Sequence, residues 1–282
     1  MEAMRGFILE NNTHTGSREN LRLASLWLQR CLQTHRDCNL GYELEPSLPT
    51  RILDVGPPDG SQQPVLYTTS HERGSYVALS HCWGKDPLLT TTSKTLSERE
   101  TGIPLADLPK SFRHAVYVTR TMCVRYLWID SLCILQDCKR DWEVESSKMA
   151  DYYSDALFTI AADNASDATK GCFRPRSILD TRPIEISLKF LANPADEGVR
   201  QYVRRSAPTR LEPRYASRSP LQARGWTLQE EVLSRRLLVF GEDQLTFHCA
   251  SDVASETHPE GWCLGGIAAD EQTPKYTTLR RV

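Results

Sequence analysis

No apolar run in this 282-residue chain approaches the roughly 20 residues that a membrane-spanning helix needs, so a transmembrane reading fails and no membrane partner is expected. The segment Met1–Asn12 lacks a basic patch followed by an apolar stretch, so no secretory signal is visible. Neither sign of charge prevails: 34 Lys and Arg stand against 36 Asp and Glu, a formal net charge of -2, which argues against a broad nucleic-acid surface. There is no internal repeat and no low-complexity tract. A disulfide framework is also missing, because the nine cysteines are odd in number and irregularly spaced. They read as reduced thiols of a cytoplasmic protein. What is present is an ordinary globular balance, 40% hydrophobic and 25% charged, in a chain long enough for one large domain or two small ones.

Periodicity organises the rest. Apolar residues at Leu23, Leu26, Trp27, Cys31 and Leu32 predict an amphipathic helix over Glu19–His35. A Pro- and Gly-bearing linker follows, with short strand-like runs at Arg51–Val55 and Val65–Thr69. The middle of the chain alternates. Tyr76–Ser80 reads as a strand, and Pro109 opens a helix with a stripe at Phe112, Ala115, Val116, Thr119 and Met122. Tyr126–Asp130 is a second strand. A helix from about Arg140 to Ser154 presents Trp142, Met149, Tyr152 and Tyr153, and Leu157–Ala162 is a third strand. That order implies right-handed crossovers and a parallel sheet, with ligands bound beyond the carboxyl ends of its strands. Ser80–Gly84, Asp130–Asp137 and Asp163–Arg176 occupy those ends. A helix near Leu221–Leu233 and a hairpin from Leu237 to Cys249, turning at Gly241–Asp243, close the patterned region. The expected fold is therefore α/β, a central, mainly parallel sheet with flanking helices. The expected division is an N-terminal helix and linker (1–72), a main domain (73–250) and an unpatterned tail (251–282) leading to further sequence.

Several long motifs then carry a resemblance. YVALSHCWG (76–84), LPKSFRHAVYVTR (108–120), YLWIDSLCILQD (126–137), DWEVESSKMADYYSDALFTIAA (141–162) and RGWTLQEEVLSRRLLVF (224–240) resemble the fungal heterokaryon-incompatibility (HET) domain. WLQRCLQTHRDC (27–38) and LPTRILDV (48–55) resemble the segment that commonly precedes it. The resemblance implies a cytoplasmic effector of nonself recognition whose activation kills the fused or invaded fungal cell. It implies a homo-oligomer or an allelic or NLR-type incompatibility partner as the activating input. The family is also distantly similar to Toll/interleukin-receptor (TIR) domains, which have a flavodoxin-like fold and some of which cleave NAD. The implied core is thus flavodoxin/TIR-like, elaborated by the N-terminal helix and the C-terminal hairpin. NAD enters as a small-molecule nucleotide substrate, with no resident cofactor. A signalling module that triggers death through partners, without catalysis, is the alternative.

The residues allow such chemistry. Nicotinamide is a cationic leaving group, so one carboxylate beside the sugar, a stacking aromatic and groups for the phosphates would suffice. Glu230 is the first candidate, because Trp226 and Glu230 have the Trp-to-Glu spacing of the TIR catalytic stretch, with Thr227 where those proteins usually have Cys. The plain reading of Thr227-x-x-Glu230 is a capping box. Glu145, on the stripe of the 140–154 helix, is the second candidate, its bland reading an ion pair. Asp130, Ser131 and Cys133 follow a strand, and Ser80, His81, Trp83 and Gly84 follow another, so both groups could line a nucleotide pocket. His81 and Cys82, adjacent on an extended chain, point to opposite faces, which disfavours a thiol nucleophile. Nine arginines against three acids between Arg200 and Arg236 offer either a solvated surface or an anion-facing one, and Arg224 stands beside Trp226. Cys31, His35 and Cys38 have ligand chemistry, but three ligands without a fourth do not make a zinc site, so no metal is expected.

Overall fold

Local capping and burial build the fold from its first helix. The computed structural model describes residues 13–85, 88–176, 184–188, 199–203, 219–221 and 230–263. Helix α1 (Arg18–Thr34) starts where the Ser17 hydroxyl accepts the Asn20 N–H at 3.2 Å. It buries Leu21, Ala24, Trp27, Leu28 and Cys31 on one stripe, close to the predicted face. A single turn, α2 (Arg36–Asn39), follows it.

Strands β1 (Arg51–Asp54) and β2 (Val65–Thr68) form a hairpin, and β3 (Tyr76–Ser80) is buried at every position. After the exposed helix α3 (Leu96–Thr101), helix α4 (Lys110–Thr121) buries Phe112, Ala115, Val116 and Thr119 as its spacing predicts. Strand β4 (Tyr126–Trp128), the turn α5 (Asp130–Cys133), helix α6 (Lys139–Asp155) and β5 (Phe158–Ala161) complete the alternation. Among the described residues, strands β6 (Ile184–Leu188) and β7 (Val199–Val203) pair with each other in a separate two-stranded sheet. The chain then runs through β8 (Arg236–Phe240), β9 (Leu245–Cys249), β10 (Asp252–Ser255) and β11 (Trp262–Cys263).

Nine strands form one sheet in the order β11-β10-β9-β8-β5-β3-β4-β1-β2. The middle four, β8-β5-β3-β4, are parallel, and antiparallel hairpins widen the sheet on both sides. Numbered by themselves, the parallel strands run 2-1-3-4, the order of flavodoxin-like doubly wound sheets. The crossovers lie on opposite faces, as that order requires. Val77 and Leu79 of β3 pack in the cluster that contains Phe112 and Ala115 of α4. Tyr76 and Ala78 pack on the other side with Tyr152 and Tyr153 of α6.

Two expectations change. Trp142 is 48% exposed, whereas Glu145 is 2% exposed. The inward line of α6 runs through Asp141, paired with Arg51, then Glu145 and Tyr152, and Trp142 lies about 100° off that line. The region after Cys249 is not featureless either. Strands β10 and β11 are short and are specified by pairing to β9 and to each other rather than by their own periodicity. Among the described residues no helix is long and apolar enough to cross a membrane, and the cysteines with described side chains form no disulfide.

Candidate functional site

The crevice of a doubly wound sheet opens at the switch point, where the strand order reverses. Here the reversal is at β3, with β4 on one side and β5 on the other, and the last residue of β3 is Ser80. Ser80 pairs with Ala161 of β5 and is 3% exposed. A hydroxyl so deeply placed needs a partner. It donates to Oε2 of Glu230, itself 6% exposed. Glu230 lies in a helical segment described over 230–233, and its backbone is held by Ser234. The Ser234 hydroxyl donates to the Glu230 carbonyl at 2.6 Å and lies 2.7 Å from Thr159 Oγ1 of β5. The carboxylate that the motif singled out is thus delivered to the carboxyl end of the switch strand.

One residue further, the chain turns the other way. His81 packs edge-on against Phe112, ring centroids 5.0 Å apart, while Cys82 joins Ala161, Leu237 and Val239. The two side chains part as an extended chain demands, and Cys82 gains no base from His81. His81 Nδ1 stands 3.9 Å from Asp130 Oδ1. Asp130 also accepts the Trp83 indole N–H at 2.8 Å and the Ser131 backbone N–H at 2.6 Å. The turn α5, two residues beyond the end of β4, therefore opens on an acid that ties the β3 loop to its own segment. The Ser131 hydroxyl and the Thr91 hydroxyl are buried and make no hydrogen bond among the described residues. Gly84, at φ +83°, lets the loop pass so close to Asp167 that a Cβ would lie 2.5 Å from the Asp167 Cβ. The three segments expected beyond the strand ends do meet.

Other candidates lie apart from this group. Glu145 accepts from the Thr50 hydroxyl (2.8 Å), the Tyr152 hydroxyl (2.7 Å) and the Lys148 ammonium (3.2 Å), so its ion pair is with a lysine of its own helix. Cys133 faces the apolar cluster of Trp128 and Ile134, where burial pushes its thiol up to about 12. Arg224, Trp226 and Thr227 fall outside the described residues. Of the arginine-rich stretch, Arg235 donates to the Ser154 carbonyl at 3.2 Å and Arg236 is fully buried. A separate cleft of about 310 Å³, lined by Gly56, Pro57, Pro58, Gln62, Cys123, Val124 and Arg125, sits at the amino end of β4 and shares no residue with the site. Thr159 and Ser234 are parts of the site that sequence reasoning missed. Their signals were a hydroxyl inside the apolar run LFTIAA and a serine four residues after Glu230.

Residues 76–230 match the heterokaryon incompatibility protein (HET) family, a span of more than half the chain. The chain belongs to the HET family. No curated protein and no solved structure matches it. The matched HET span opens on β3 and closes on Glu230, so the two residues joined across the switch point lie near its two ends. Helix α1, the β1–β2 hairpin and strands β8–β11 lie outside the HET match yet complete the same sheet and core.

Proposed function

We propose that this HET domain is a cell-death effector of fungal nonself recognition that acts by hydrolysing NAD, with Glu230 as the key carboxylate. The observation that carries the reading is the buried Ser80–Glu230 hydrogen bond at the carboxyl end of the switch strand. Supporting it are the flavodoxin-like strand order and the Trp226–Glu230 spacing shared with TIR enzymes. In the reaction, the C1′–N bond breaks with its electron pair leaving on neutral nicotinamide. Positive charge develops on the ribose and a carboxylate beside it lowers that barrier. Water then bonds to C1′ and gives its proton to Glu230 or solvent, yielding ADP-ribose. Ser80 positions the carboxylate. Trp83, half-exposed and held at its N–H by Asp130, offers a ring face for a base. The buried Ser131 and Thr91 hydroxyls offer donors for ribose or phosphate oxygens. Activation is assigned to association of copies or to an incompatibility partner, in the cytoplasm.

A second reading rests on the same contact. The chain Ser80–Glu230–Ser234–Thr159 is also what a structural latch requires, tying the last crossover to β3 and β5 in a non-catalytic signalling module. The deciding experiment measures NAD and free nicotinamide with purified protein at high concentration, with and without a clustering agent. Folded Glu230→Gln is compared with wild type. Turnover in wild type and a drop of about 10²-fold or more in the variant are expected. Equal turnover in both removes Glu230 from the chemistry. No turnover under any condition, with toxicity retained in cells, leaves the latch.

A further inference from the structure

At the opposite end of the parallel strands, four side chains that sequence distance separates are brought together. Cys31 lies in the last turns of α1, His35 is its C-cap, Cys38 is in α2 and Cys249 ends β9. Their donor atoms, three sulfurs and one ring nitrogen, all lie within 4.8 Å of one another. His35 Nδ1 stands 3.3 Å from Cys249 Sγ. Around zinc, with Zn–S bonds of about 2.3 Å in a tetrahedron, neighbouring sulfurs sit ~3.8 Å apart. The set matches that cage to within a contraction of about 1 Å. We propose that Cys31, His35, Cys38 and Cys249 bind one zinc ion, in a closed site that fastens the N-terminal helix to the C-terminal hairpin.

Two features beyond the ligands support this. The turn that presents the first three is already rigid. Asn39 Nδ2 donates to the carbonyls of Cys31 (2.9 Å), Leu32 (3.0 Å) and His35 (2.9 Å), capping the end of α1. The second feature is electrostatic. Arg236 is fully buried, and its guanidinium donates to Cys31 Sγ (3.3 Å), to the Cys38 and Leu157 carbonyls (3.3 Å each) and to Asn39 Oδ1. It also lies over the Tyr42 ring, 4.5 Å from the centroid. Among the described residues no carboxylate pairs with it. A buried cation without an anion is costly. Zinc held by three thiolates and a neutral imidazole carries one net negative charge, and Arg236 is placed to balance it. Cys38 Sγ further lies 3.4 Å from the Ser251 hydroxyl, a donor to a thiolate. All four ligand positions are protein side chains, the pattern of a structural rather than a catalytic site.

The test uses the full chain, purified under reducing conditions without chelator. Elemental analysis is expected to find about one zinc per chain, and exchange for Co²⁺ to give the visible bands of tetrahedral thiolate coordination. His35→Cys is expected to retain one metal and to strengthen the thiolate-to-cobalt charge-transfer band. Cys249→Ala is expected to lose metal. Should that variant fail to fold, the wild-type metal content and the His35→Cys spectrum remain decisive. Folded wild type that stays metal-free after zinc supplementation overturns the proposal. So does an octahedral cobalt spectrum, or a native disulfide among the three cysteines. None of these outcomes depends on the reaction assigned to Glu230.

Discussion

Replacing Ser80 by Ala takes one donor from a carboxylate that is itself buried, which costs about 1.5–3 kcal/mol for a bond to a charged group. Glu230→Met, of similar length, leaves the Ser80 hydroxyl buried beside an apolar chain and costs about 1–3 kcal/mol by the same argument. The double variant places two apolar groups against each other, an exchange that is close to neutral. A cycle over the four proteins is therefore expected to be non-additive by about 2.5–6 kcal/mol, the sum of the two single costs, with the double variant more stable than the singles predict. Denaturant unfolding followed by tryptophan fluorescence reads it, and the same coupling would show as a shift of several degrees in thermal midpoint. Additivity within about 0.5 kcal/mol would mean that the hydroxyl and carboxylate are not joined in solution. The geometric basis for placing Glu230 at the switch point would then be gone.

Burial, Lys110 and His14 hold the His114 ring well below its ordinary pKa, at about 4. His114 stacks on Phe173, and its Nδ1 accepts the Phe173 N–H at 3.1 Å. Because the folded value is depressed, the unfolded chain binds the extra proton first: stability is full above pH 6.5 and declines as pH falls toward 4. After allowance for partial exposure of the ring, the loss is about 1–2 kcal/mol. His114→Gln is expected to flatten this part of the stability-against-pH curve, and an unchanged slope would refute the assignment. Gly84→Ala must hold an L side chain at φ +83° with its Cβ against Asp167. It is expected to cost at least ~2 kcal/mol and to shift Trp83 fluorescence, and an unchanged thermal midpoint and spectrum would show that the close approach is absent.

The elements legible in the sequence are those whose burial is periodic. The stripe of α4 and the apolar run that opens β3 carry their own signal, because one face of a helix or a whole central strand must leave water. Strands β10 and β11 carry none, since their neighbours define them. The same division holds for the site. Glu230 stood out by its distance from Trp226, but its partner Ser80 lies 150 residues away and only the sheet order brings them together. Glu145 illustrates the converse. It sits on the inward face as its spacing indicates, yet Thr50, outside α6, makes it a satisfied structural acid, and a local pattern does not reveal such a partner.

The zinc ligands sharpen that point. Cys31, His35 and Cys38 form a local pattern, whereas Cys249 arrives through the β8–β9 hairpin, 211 residues after Cys38. Arg236, which contacts both Cys31 and the carbonyl of Cys38, opens strand β8. Two residues before it, Ser234 is held to Thr159, and four residues before that stands Glu230. The short segment 230–236 is therefore pinned at one end by the ligand knuckle and at the other by Ser80. A backbone so fixed holds the Glu230 carboxylate in place, which is what a preorganised electrostatic group requires. On this argument the α1–β9 junction, although outside the matched HET span, supports the geometry of the switch-point site from the far end of the sheet.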